Sequence, residues 1–287
     1  MKFSTQIRWL VLAIMGLALV ATLTGLLDQT DGQPFDFVSA RGEEVRINNR
    51  GLYVYDTVSM AAQQQGNDFV ALFVGIPLLA LALPKAAKGS LRARFVLTGT
   101  VGFFLYTYMS VSVLAAFNAL FPLYVILFGT SLYAFILLML SFDLDKLKQS
   151  IGEGFPRRSI AVFLFVLGAF LLVAWAGRIL PPLLSTDVPL LENTPTMVIQ
   201  AMDLALIVPL AVIAGLFLLR RGALGYLLSA VVLMKAVTLG LAVSAMAVNM
   251  MRQGVAESLA ITIPFMTITL LAIWLAIAFL RNVREAD

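Results

Sequence analysis

The chain has 287 residues, 61% of them hydrophobic and only 13% charged, with a mean hydropathy of +0.95. Soluble domains carry charge on roughly a quarter of their residues, so this is the composition of a polytopic membrane protein. It has no cysteine and no histidine, which excludes disulfides, thiolate nucleophiles, imidazole ligation of zinc or haem, and histidine acid–base catalysis.

Any chemistry must therefore use Asp, Glu, Lys, Arg, Tyr, Ser or Thr. The sequence calls for no cofactor and no metal. The pI near 9.5 does not point to nucleic acid, because the basic residues lie in short loops beside apolar runs, where they act as an orientation signal.

Apolar runs long enough to cross about 30 Å of hydrocarbon fall at residues 9–27, 68–84, 95–115, 122–141, 159–178, 198–219, 224–247 and 259–280. The fold class expected is an all-α membrane bundle of eight transmembrane helices. The first run, Trp9 to Leu27, is longer than the apolar stretch of a secretory leader and reads as a retained helix. With the N-terminus inside, fourteen Lys and Arg residues fall in inner segments and five in outer ones, and Lys235 remains within a span. That bias predicts a multi-pass protein of the bacterial inner membrane with both termini cytoplasmic.

The one sizeable extramembrane segment is 28–67. Its stretch DFVSARGEEVRINNRGLYVYD alternates apolar and polar residues on both sides of Asn48-Asn49-Arg50-Gly51, predicting a small β-hairpin about that turn. TVSMAAQQQG should follow as a short interfacial helix. Counting Asp68, the segment holds seven acids against three arginines. Such an acidic cap would attract cations to a cavity beneath it, or would present a surface to a protein partner.

An internal match suggests two units, 1–141 and 142–287, each of four helices. Gln65 and Asp68 precede an apolar run ending in Pro-Leu, as do Gln200 and Asp203. Gly16 and Gly25 can be set on Gly168 and Gly177, Pro122 on Pro264, and Phe104 on Lys235. A tandem 4+4 repeat of this kind keeps both halves in one orientation, related by an axis along the membrane normal.

Ionisable groups at membrane depth are costly, and mark functional sites by default. Asp203 and Lys235 lie on consecutive, antiparallel spans joined at Arg220-Arg221, so a direct pair between them is expected, with Gln200 and Thr238 one turn away on the same faces. Gln65, Asp68 and Tyr106 would complete a polar cavity between the halves, together with Tyr108, Ser110 and Asn118. The function these residues suggest is binding or transport of a small polar or cationic solute, or a proton, through an outward-facing cavity. There is no phosphate-binding Gly-x-x-x-x-Gly-Lys-Ser/Thr loop, so ATP would not drive it directly. The alternatives are a non-catalytic membrane subunit or sensor whose loop 28–67 binds a partner, and an enzyme acting on lipid through Asp68 and Asp203.

Overall fold

The computed structural model describes residues 2–28, 30–255 and 259–285; the side chains of residues 259–261 are not described. In chain order the elements are α1 (Ser4–Leu27), β1 (Phe35–Val38), β2 (Glu44–Ile47), α2 (Val58–Ala87), α3 (Leu91–Leu114), α4 (Phe121–Leu140), α5 (Leu144–Gln149), α6 (Arg157–Leu184), α7 (Val198–Leu219), α8 (Ala223–Arg252) and α9 (Leu259–Arg281). All but the short α5 are long and apolar enough to cross a membrane, which makes eight such helices among the described residues. Leu81, Val173, Leu270 and Trp274 point outward, as expected of helices whose outer surface meets hydrocarbon rather than water. The chain reads as a multi-pass membrane protein.

The helices form two apolar clusters. Ile7, Ile14, Leu79, Leu97, Phe103, Leu127 and Leu138 belong to one, drawn from α1 to α4. Ile160, Leu164, Ala211, Leu218, Leu233 and Phe279 belong to the other, drawn mainly from α6 to α9. The clusters meet where α8 packs on both α2 and α3. Small residues set these crossings. A Cβ on Gly66 would lie 2.6 Å from the backbone of Met246, and one on Gly99 would run into the Met234 side chain, so only glycine permits the approach.

Two expectations are corrected here. The interfacial helix is not separate: Thr57 caps α2 by accepting from the Met60 N–H at 3.1 Å, and the helix runs unbroken from Val58 into the span. Once that N-terminus is capped, nothing between Ser59 and Asp68 breaks the helix. The hairpin is present, but it turns earlier than expected. Phe35–Val38 pairs antiparallel with Glu44–Ile47, and the connection closes at Gly42, whose φ of 85° only glycine adopts freely. Asn49 and Gly51 do take positive φ, but they form a separate turn after β2.

Both α2 and α7 contain one widened, π-helical turn, at Ala71–Gly75 and Asp203–Ile207. A proline follows two residues after each, at Pro77 and Pro209. Proline has no N–H and crowds the carbonyl four residues earlier. Those carbonyls belong to Phe73 and Ala205, which lie inside the widened turns. Aligning the two helices on turn and proline sets Asp203 against Ala71, not Asp68, a three-residue difference from the Gln-x-x-Asp register.

The end of the bundle that carries residues 28–57 is called the cap face. At the opposite face the chain end is tied in: the Glu285 carboxylate accepts from Ser90 Oγ at 2.8 Å and Leu91 N at 2.7 Å, and the Arg284 N–H donates to Ser150 O at 2.7 Å.

Candidate functional site

A cavity of about 510 Å³ opens from the cap face between α2, α3, α6, α7, α8 and α9. Most of its wall is apolar, with Leu167, Leu171, Val231, Leu239 and Phe265 among the lining residues. Its charged groups are Asp203 on the first residue of the α7 π turn and Lys235 in the middle of α8, both buried, with Arg178 and Glu192 nearer the mouth.

The expected direct ion pair between Asp203 and Lys235 is not formed. Tyr106 of α3 stands between them: its hydroxyl donates to Asp203 Oδ1 at 2.7 Å, and its ring lies under the Lys235 ammonium, 3.8 Å from Nζ to the ring centre. The second Asp203 oxygen accepts from the indole N–H of Trp175 at 3.0 Å. Asp203 thus has a donor on each oxygen. Lys235 makes no hydrogen bond or ion pair among the described residues, and its contact is with an aromatic face, worth about 2 kcal/mol when desolvated. Three ammonium N–H donors therefore lack an acceptor beside an open volume.

Four of the residues named from sequence meet at this cavity: Asp203, Lys235, Tyr106 and Gln200, the last one turn before Asp203. Three do not. The Thr238 hydroxyl turns back onto its own helix, 3.2 Å from both Met234 O and Lys235 O. Gln65 lies on the far side of the α2–α8 contact, where its Oε1 accepts from Asn249 Nδ2 at 3.2 Å and Gln253 Nε2 at 3.3 Å and so fastens two helices. Asp68 faces α1. Its carboxylate accepts a short hydrogen bond from Tyr53 in the cap, which leaves it outside the cavity. Of the other residues considered, Ser110 lines the cavity, whereas Asn118 caps the α3–α4 turn, its Oδ1 accepting from Leu120 N at 3.0 Å.

Protein-family models, curated proteins and solved structures contain no match to this chain. The reading of the site therefore rests on its geometry.

Trp175 is absent from the expectation. A half-buried indole in a membrane span needs an acceptor for its N–H, and a tryptophan a few residues inside the end of an apolar run was a usable signal for it. The mouth of the cavity was also not foreseen. The connection between α6 and α7 folds over it, and the cap holds that connection down. Glu43 accepts from the backbone N–H groups of Leu191 at 3.0 Å and Glu192 at 3.0 Å, with Asn193 at 3.5 Å. Glu192 and Asn193 have φ of 53° and 61°, and this left-handed bend turns successive N–H groups toward one carboxylate. The Thr57 hydroxyl donates to Glu192 Oε2 at 2.7 Å, and Arg41 Nη2 to Pro195 O at 3.1 Å.

Asp56 anchors the other side of the cap, accepting from Ala116 N at 2.9 Å with Oδ1 while its buried Oδ2 lacks a partner. Burial raises its carboxyl from 3.8 to about 6, and the Ala116 bond offsets only part of that rise. A folded value above the unfolded one means that the cap is most stable where Asp56 is protonated in both states. The cap should lose up to about 3 kcal/mol as pH rises from about 4 to 6, and nothing further above that. Hydrogen exchange of the cap amides, corrected for intrinsic rates, should show this loss in the native chain and not in Asp56→Asn. A native profile flat across that window would show that Asp56 is hydrated.

Proposed function

We propose that this chain binds a small polar solute in the cavity beneath its cap, as a binding or transport protein of the bacterial inner membrane with the cap outside and both termini cytoplasmic. The observation that carries this reading is the Lys235 ammonium, held in a buried, mostly apolar cavity with no acceptor for its three N–H groups among the described residues. A charge in that position costs several kcal/mol unless something pairs with it. Asp203 is already served by Tyr106 and Trp175, so the geometry favours a solute that brings an anionic oxygen to Lys235 over a cation that would compete for Asp203. The apolar wall suits a solute with a short apolar body.

The proposed role of the two four-helix units is to supply opposite walls, with α2 and α3 of the first unit, the latter carrying Tyr106, facing a wall built by the second. The competing reading, a subunit whose cap binds an outside partner, draws less support. Arg41, Glu43 and Thr57 are engaged with the chain's own 191–195 segment.

The test uses the purified protein in lipid nanodiscs, titrated with straight-chain monocarboxylates from acetate to octanoate and with the matching primary amines. Trp175 emission and melting temperature are the readouts. Carboxylates should bind, the affinity should rise with chain length and then fall once the cavity is full, and Lys235→Met should abolish the response. Preference for the amines would move recognition to Asp203, and no response to either series would sink the proposal.

A further inference from the structure

A second polar cluster lies apart from this cavity, beneath the cap among α1, α2, α3 and α4. Its centre is Asp68, 6% exposed, whose one hydrogen bond among the described residues comes from Tyr53. Burial and the neighbouring carboxylate push the Tyr53 phenol well above its usual range, so it remains a donor. Tyr108 of α3 and Tyr124 of α4 lie within electrostatic reach of Asp68, their rings stacked 6.2 Å apart. Both hydroxyls are buried and neither meets hydrogen-bond geometry with another group among the described residues, although Tyr124 stands close to Tyr53 and Asn118. Gly25 lets α1 pack directly against this cluster: a Cβ there would strike the Asp68 carboxylate and lie 2.7 Å from the Tyr53 hydroxyl.

Two orphaned hydroxyls around one buried carboxylate need an explanation, since each unsatisfied buried group costs about 1–3 kcal/mol. At the other carboxylate, Asp203, the balancing charge is built in as Lys235 beyond the Tyr106 ring. No lysine or arginine pairs with Asp68 among the described residues. The side chain stacked on Tyr108 from the core is Phe104, at 6.2 Å. The polar side-chain atoms gathered about Asp68 are oxygens, one carboxylate and three phenols, which is the donor set of a hard cation. No group of three acidic side chains able to hold a divalent ion occurs among the described residues.

We propose that Asp68, Tyr53, Tyr108 and Tyr124 form a binding site for an alkali-metal cation entering from the cap face. The ion balances the Asp68 charge, the phenol oxygens of Tyr108 and Tyr124 coordinate it through their lone pairs, and Tyr53 fixes the carboxylate. Because Tyr53 belongs to the cap and Asp68 to α2, the bound ion fastens the cap to the bundle.

Melting of the full chain in nanodiscs, with N-methylglucamine chloride replaced by sodium or potassium chloride at constant ionic strength, tests this. At least one of the two metals should raise the melting temperature, saturably, by about 4 °C or more. Asp68→Asn should abolish the rise. Since that variant could also fail to fold, the double variant Tyr108→Phe, Tyr124→Phe is the decisive one. It removes only two orphaned hydroxyls, so it should melt no lower than the native chain without metal, and should lose the metal-dependent rise. Retention of the full rise in the double variant overturns the proposal. So does a native chain that melts alike in all three salts, including one stabilised only by lowering the pH, because Asp68 would then hold a proton in place of a metal ion.

Discussion

Asp203→Asn will destabilise the protein far more than Lys235→Met. The asparagine amide can accept from only one of the two donors: with its oxygen on the Trp175 indole, its N–H faces the Tyr106 hydroxyl, which must turn its own proton away to accept, and the negative charge that faces Lys235 across the Tyr106 ring is gone. A cost of about 2–4 kcal/mol follows from the lost charge-assisted bonds and the uncompensated ammonium. Methionine at position 235 keeps most of the aliphatic stem and gives up a cation–π contact, but it also removes a buried charge without hydrogen bonds. The two effects leave it within about 1 kcal/mol of the native chain. The double variant should be less damaged than Asp203→Asn alone. Chemical or thermal unfolding in one detergent, run as a cycle, measures all three. A Lys235→Met variant more damaged than Asp203→Asn would mean that the ammonium, not the carboxylate, is the organising group.

Glu43→Ala will release the segment over the cavity mouth. One carboxylate holds the N–H groups of residues 191–193, and charge-assisted bonds contribute about 1.5–3 kcal/mol each. Even after water replaces part of this, amide exchange at Leu191 and Glu192 should speed by about 100-fold, while the interior of α3 is unchanged. Glu43→Gln keeps one acceptor oxygen and should fall between. Solute association should quicken in the same order if the segment limits entry. Unchanged exchange in Glu43→Ala would show that Arg41 and Thr57 suffice to hold the segment.

The sequence revealed some layers of this molecule and hid others, for physical reasons. The eight spans were legible because hydrocarbon tolerates little except continuous apolar helix, and the search is one-dimensional. Asp203 and Lys235 were visible as isolated charges, and counting residues from Arg220-Arg221 gave their depth. What sits between them was not visible, because whether Tyr106 or a direct contact fills the gap depends on how α3 is rotated, and α3 spreads its polar residues round its axis with no single polar face. The same uncertainty put Asp68 and Tyr108 in the cavity, although both face α1 and α4. Glu43 was readable as an acid in an acidic loop, but its partners lie about 150 residues away and are backbone groups, which no side-chain pattern reports.

The widened turns before Pro77 and Pro209 bear on this last point through angular phase. A straight α-helix advances about 100° per residue, and a π turn holds one residue more than an α turn. Everything on the cap side of Asp203–Ile207 is therefore set round the helix axis by about a quarter-turn or slightly more from where a regular helix with the same lower half would carry it. Deleting one residue from 204–206 would close the turn without removing a cavity side chain. It would still swing Gln200 and Asp203 away from Trp175 and Tyr106, so the aim of the carboxylate is stored in a single surplus backbone unit.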